Sequence, residues 1–215
     1  MLFSGGLDSA VLLAHEAAAA RVLPIYVSAG LAWEPAERSC AEQLLRHPLY
    51  AGRANAMVTI SVPVDDVYPA THWALRGEPP GYDTPDEDVY LLGRNLLLLS
   101  KAAIVCARER IHRVALGPLA GNPFPDARPA FFAAMAEALT LGLDHPVEIA
   151  RPFEAMHKQD VIALGASLGV PFELTLSCMN PIAGQHCGAC SKCRERQQAF
   201  AAAGVSDPAV YATRQ

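Results

Sequence analysis

The sequence predicts an α/β chain, a doubly wound, mostly parallel sheet followed by a small cysteine-rich C-terminal module. Three observations carry that expectation. Short apolar runs rich in β-branched residues alternate with Ala/Leu-rich stretches of helical length. A Gly-Gly turn separates the first apolar residues from the first helical stretch. From residue 177 the composition turns to Cys, Gly, Lys and Arg. The boundaries read as 1–176 for the α/β part and 177–215 for the module.

Residues 1–3 read as the end of a first strand, and 8–20 as the helix after it. The next strands fall at 22–27, 56–62, 114–117 and 148–151. The helices between and after them fall at 37–46, 95–110, 129–141 and 158–168. Residues 76–89 hold three prolines and five acids and read as a loop free to move.

The bulk properties bound the function. The chain has 215 residues, 52% hydrophobic and 18% charged, which suits a globular protein. Net charge is −5 without a Lys/Arg run, so neither nucleic acid nor an acidic membrane surface is an expected partner. No leader-like pattern or long apolar segment is visible, and a cytoplasmic location is expected. Four of the six cysteines crowd into residues 178–193, which points to a metal rather than a disulfide framework.

Ser4-Gly5-Gly6-Leu7-Asp8-Ser9 stands where a strand gives way to a helix. The glycines let backbone N–H groups approach an anion, and Ser9 and the helix N-terminus add donors and partial positive charge. That suits pyrophosphate. The Gly-Lys-Ser/Thr of a Walker loop is missing, so transfer of a γ-phosphoryl group is not the expected chemistry. An ordinary strand-to-helix turn is the plainer alternative.

Cys178, Cys187, Cys190 and Cys193 form C-x8-C-x2-C-x2-C, a spacing that fits tetrahedral Zn²⁺, with an iron–sulfur cluster as the competing reading. Such a zinc is structural, because protein fills every position. Lys192, Arg194 and Arg196 are positioned to offset thiolate charge, and His186 reads as a solvated loop residue. Cys40 and Cys106 fall in apolar helical stretches and read as small core residues.

The 4–9 loop resembles that of the ATP-pyrophosphatase superfamily, and loop and cysteines together resemble the QueC family of 7-cyano-7-deazaguanine synthases. Tyr90-Leu91-Leu92-Gly93-Arg94-Asn95 is similar to that family's Gly-Arg-Asn segment. Phe124-Pro125-Asp126-Ala127-Arg128-Pro129 is similar to its Tyr-Pro-Asp-Cys-Arg-Pro, and His157-Lys158-Gln159-Asp160 to its Thr-Lys-x-Glu. The tail with Phe200, Gly204, Asp207 and Pro208 also agrees. Two stretches depart. Residues 28–35 replace the family's Tyr-Gly-Gln-Arg-His, and 119–123 replace its Asp-Tyr-Ser-Gly.

The resemblance implies an adenine nucleotide alpha hydrolase-like fold and an ATP-dependent ligase. ATP adenylates the carboxylate of 7-carboxy-7-deazaguanine, ammonia displaces AMP, and a second activation yields the nitrile. Ser4, Gly5, Gly6, Leu7, Asp8 and Ser9 would hold the nucleotide. Asp8 would bind Mg²⁺ or simply serve the helix dipole. Arg94 and Lys158 would neutralise phosphate charge. Phe124, Asp126 and Arg128 would face the deazaguanine, or Asp126 and Arg128 would pair with each other. A homodimer is implied. The altered stretches motivate an enzyme that stops at an amide with another amine, on a protein for instance. A non-catalytic nucleotide-binding regulator is the remaining class.

Overall fold

The computed structural model describes residues 1–213, so the last two residues of the expected C-terminal module lie outside the described part. The order is α1 (Leu7–Ala17), β1 (Ile25–Ser28), α2 (Glu34–Arg46), β2 (Val58–Ser61), α3 (Trp73–Arg76), α4 (Arg94–Arg108), β3 (Arg113–Ala115), α5 (Pro129–Leu143), β4 (Glu148–Ala150), α6 (Lys158–Ser167) and α7 (Ser191–Ala203). Short 3₁₀ turns occupy Asp86–Val89, Pro125–Ala127 and Phe172–Leu174.

β1 pairs with β2 and β3 with β4, both in parallel. Residues 1–3 join the two pairs. The Phe3 amide donates to the Ile25 carbonyl and the Leu2 amide to the Ala115 carbonyl, each at 2.9 Å. The order across the sheet is therefore β2, β1, residues 1–3, β3, β4. The order in which strands are added across the sheet reverses beside residues 1–3, the topological switch point at which an open α/β sheet leaves a crevice at its carboxyl edge. The 4–9 loop begins there.

Side-chain alternation winds the sheet on both faces. Phe3, Ala115 and Ala150 pack with Leu12 and Leu13 of α1, Val161 of α6 and Phe200 of α7. Ile25, Val114, Leu116 and Ile149 pack with Leu99 and Ala103 of α4 and Phe132 of α5. Adjacent residues of β3 and β4 thus serve opposite cores, as a pleat with period two demands. The α/β, parallel, two-faced arrangement is the one expected from the sequence.

The differences are local. The strand expected at 22–27 begins at Ile25, because Val22 makes only an isolated bridge, to Ala54. Helices α3 and α7 were not expected. Nor do residues 76–89 hang free. The Arg194 guanidinium of α7 donates to the carbonyls of Tyr82 and Thr84 at 2.6 and 2.8 Å and to Asp86 at 2.8 Å. The Tyr82 hydroxyl donates to Gln197 at 2.7 Å, and the Ser191 amide to the Pro80 carbonyl at 3.1 Å. The proline-rich segment is a strap tied across the start of α7.

Candidate active site and metal centre

The 4–9 loop is shaped by its own hydroxyls and by close packing. Ser4 Oγ accepts the Gly6 amide at 3.2 Å, and Ser9 Oγ donates to the Gly6 carbonyl at 2.9 Å. Gly5 has φ +77°, and a Cβ there would sit 2.7 Å from the backbone nitrogen of Ala41 in α2. Only glycine combines that backbone with that contact. The amides of Leu7, Asp8 and Ser9 open α1 and have no helical carbonyl ahead of them, which leaves donors and a positive dipole end for an anion.

A cleft in two halves lies in front of the loop. The larger half, about 280 Å³, is lined by Ser4, Gly6, Leu7, Asp8, Arg94, Phe124, Asp126 and Lys158, with Lys192, Glu195 and Arg196 from α7. The smaller half, about 240 Å³, runs along the sheet edge past Ile25, Val27, Leu116 and Gly117, and also includes Ser9. Ser4, Asp8, Glu37, Arg94, Asn95 and Asn122 line both halves.

Lys158 opens α6 and its Nζ lies 2.6 Å from Asp8 Oδ2 and 3.2 Å from Glu195 Oε1. Lys192 also pairs with Glu195. Burial by itself would lower the Lys158 pKa, but Asp8 and Glu195 outweigh it and hold the ammonium above the ordinary lysine range. Burial would raise Glu195, and Lys158 and Lys192 outweigh that in turn, holding its carboxyl down at about 2. Both partners are therefore charged at neutral pH. Asp8 Oδ1 is buried and has no hydrogen-bond partner, a free hard oxygen aimed at the site. Burial raises Glu37 to about 7, against the opposing effects of Arg94 and the Tyr26 hydroxyl, which donates to it at 2.8 Å.

Of the residues singled out from the sequence, Arg128 is apart. It is exposed, absent from both halves of the lining, and forms no ion pair with Asp126. Asp126 instead clamps the start of α4. Its Oδ2 accepts the Asn95 amide at 2.9 Å and its carbonyl accepts the Asn95 side chain at 2.8 Å. Phe124 stacks on Tyr90 at 4.9 Å, and Trp33, 4% exposed, stacks on Trp73 at 5.7 Å. Glu195 and Glu37 escaped the sequence reading, and Lys192, read there as a counter-charge for sulfur, lines the cleft instead. Glu195 lies two residues past the last cysteine, and its pairing to Lys158 spans 37 positions with no local pattern to announce it.

The four cysteines converge. Their sulfurs all lie within 4.8 Å of one another, with separations of 4.0 Å (Cys178–Cys190), 3.8 Å (Cys187–Cys193) and 3.5 Å (Cys190–Cys193). A tetrahedron with Zn–S bonds of about 2.3 Å has edges of about 3.8 Å, so the set fits a zinc ion. Amides of Asn180, Cys187 and Ala189 point at sulfurs, at 3.3, 3.2 and 3.4 Å. Gly188 has φ +80°, and a Cβ there would meet the Thr213 carbonyl at 2.0 Å.

The cations expected around the thiolates are engaged elsewhere: Lys192 with Glu195, Arg194 with the strap, Arg196 with Asp207 at 3.0 Å. His186 is buried, not solvated. Its Nε2 accepts the Ser177 amide at 3.1 Å, and desolvation with the nearby Arg196 lowers its pKa to about 4. Cys106 is buried in the core and Cys40 half-buried, and burial raises both thiols.

No helix among the described residues is long and apolar enough to cross a membrane. The family model for "Queuosine biosynthesis protein QueC" matches residues 1–204. The chain is 30% identical to a 7-cyano-7-deazaguanine synthase of Methanopyrus kandleri, over 98% of this chain and 97% of that protein. It is 34% identical to one from Brucella ovis, over 98% and 92%. A protein of the same name in Anaeromyxobacter dehalogenans is 40% identical, over 57% of this chain and 56% of its own. With the loop, the cleft and the thiolate cluster in place, a match of this extent means that the chain belongs to the QueC family.

Proposed function

We propose that this chain makes 7-cyano-7-deazaguanine from 7-carboxy-7-deazaguanine, ammonia and ATP. The observation that carries the reading is the 4–9 loop, which faces one cleft together with Lys158 and Arg94 in a chain that matches the family along its length. The apolar half along the sheet edge suits an adenosine, and the polar half suits the deazaguanine acid. Their junction is where the α-phosphorus meets the carboxylate.

In this reading the loop amides and Lys158 hold the departing pyrophosphate, and Arg94 balances charge at the α-phosphate. Asp8 Oδ1 would be the ligand of a Mg²⁺ ion, which neutralises phosphate charge when bound. Adenylation turns a carboxylate oxygen into a leaving group, ammonia replaces AMP, and a second adenylation, of the amide, lets the nitrile form. The protein's share is positioning and charge stabilisation. Zinc fills the four-cysteine site and has no open position for chemistry. A homodimer in the cytoplasm belongs to the same reading.

A second reading ends at the amide, with a different amine. Its support is the position of Trp33 in the polar half and of Asn122 in both halves, within the two stretches that depart from the family pattern. Incubation with ATP, ammonium and the acid, followed by mass spectrometry, separates the two. Nitrile supports the first reading and amide alone the second. No acid-dependent consumption of ATP refutes both, and leaves a nucleotide-binding regulator.

A further inference from the structure

We propose that Glu37 is the catalytic proton acceptor for the nitrogen nucleophile, held at the junction of the two halves of the cleft. The proposal rests on the reaction proposed above. Placement is the first support. Glu37 lies on α2 and is one of only six residues shared by both halves. The bond to AMP breaks and the bond to nitrogen forms at that junction.

Elimination is the second support. Arg94, Arg196, Lys158 and Lys192 are cations and have no lone pair to offer. Asp8 gives Oδ2 to Lys158 and, in the reading above, Oδ1 to Mg²⁺, and Asp126 accepts the Asn95 amide. Glu195 gives one oxygen to Lys158 and the other to Lys192, so neither is left for a substrate proton. No histidine lines either half among the described residues. Glu37 uses Oε2 to accept from the Tyr26 hydroxyl of β1, and Oε1 has no protein donor.

The groups acting on Glu37 are Arg94 on α4, Tyr26 on β1 and Glu34 on its own helix. Glu34 is fixed at 2.6 Å from Ser28 Oγ and 2.7 Å from the Ala29 amide. Their balance with burial leaves Glu37 with a proton affinity near neutrality, which is where a general base works best.

The step balances. Ammonia's lone pair forms the C–N bond at the acyl carbon, and the nitrogen becomes positively charged. Glu37 takes one proton from that nitrogen. The carbonyl re-forms as the C–O bond to AMP breaks, with AMP leaving as the phosphate anion. Solvent then receives the proton from Glu37.

The test uses the full chain and separates the two half-reactions. Exchange of labelled pyrophosphate into ATP, driven by the acid without ammonium, reports adenylation. Amide and nitrile formation at fixed free ammonia report the nitrogen step. Glu37→Gln should keep the exchange within a few-fold and lower the nitrogen step by about 10²-fold or more. Its pH profile should lose the limb near neutrality seen in the native enzyme. Tyr26→Phe removes a bond that favours the charged carboxylate, so it should move that limb to higher pH with the exchange intact.

Equal losses in both half-reactions would make Glu37 part of nucleotide or acid binding and overturn the proposal, as would an unchanged nitrogen step. Absence of acid-dependent exchange in the native enzyme would overturn the functional reading itself, and the proposal with it.

Discussion

Replacing Arg196 with Met should destabilise the chain severely, and the structure sets the size of the effect. The guanidinium is 0% exposed. Its Nε donates to both oxygens of Asp207 at 3.0 and 3.2 Å. Its terminal nitrogens donate to Thr175 Oγ1 at 2.8 Å and to the Phe172 carbonyl at 3.1 Å, and the group lies 4.9 Å over the Phe200 ring. Methionine recovers the stem packing but strands Asp207, 13% exposed, with only the Tyr211 hydroxyl at 2.5 Å and the Ala209 amide at 3.0 Å. Removing one partner of a buried pair costs about 3–5 kcal/mol. For a chain of this size that is a fall in Tm of roughly 6–20 °C. Thermal and urea unfolding would measure it, with Arg196→Lys expected between the two because it keeps the charge and loses the fork. A fall under about 3 °C would show that desolvation cancels the pair and would refute the reasoning.

Cys187→Ala should leave less than the expected one zinc per chain, read by elemental analysis, and lower Tm, since an incomplete thiolate set cannot hold the knuckle. Iron and sulfide in the native protein would overturn the zinc assignment. Asp8→Asn and Ser9→Ala should each lower pyrophosphate release by about 10²-fold, with Tm little changed in Ser9→Ala. Unchanged release would remove the loop from the reaction. Glu37 sits at about 7 when folded against about 4.3 in an unfolded chain, so the fold binds more protons between those values and loses stability as pH rises through them. Glu37→Gln should therefore raise Tm at pH 8 more than at pH 5, and equal effects at both would contradict the shift. The altered stretches around Trp33 and Asn122 should slow nitrile formation relative to the first adenylation, compared with the Brucella ovis relative at equal enzyme. Complete conversion to nitrile at the relative's rate would show that those departures are neutral.

Much of this architecture is legible in the sequence where the cause is local. Ser4 to Ser9 declares a strand-to-helix turn because glycine and hydroxyl residues are needed at those positions, and the C-x8-C-x2-C-x2-C spacing declares a tetrahedral site. Periodicity finds α4, α5 and α6 because each buries one stripe against a core. What escapes is long-range. α7 follows directly on Cys190, so the metal spacing hides a helix that runs on to Ala203. Arg194 and Arg196 read as counter-charges for sulfur because their true partners, Asp86 and Asp207, belong to other segments. Arg128 sits in a motif that matches the family, yet it faces solvent, because the turn spends Asp126 on the start of α4.

The cysteine cluster and the cleft are one construction. The thiolate cluster fixes where α7 begins, since Cys190 precedes its first turn and Cys193 lies within it. That turn carries Lys192 and Glu195 into the cleft, where Glu195 pairs with Lys158 alongside Asp8. One residue further along from Cys193, Arg194 ties down the strap, and the strap runs straight into Val89, Tyr90 and Leu91, which line the polar half. Cys178 itself borders the same half. A closed tetrathiolate offers a substrate no coordination position, so its contribution is mechanical. The loop at the sheet edge is shaped partly by itself, through Ser9 on the Gly6 carbonyl and the close packing of Gly5 on α2, and partly by the Leu176 amide, which donates to the Gly5 carbonyl at 3.2 Å. The sheet and α1 thus shape most of the loop, whereas the wall of the cleft that carries Lys192 and Glu195 stands only while the cysteines hold α7 in place.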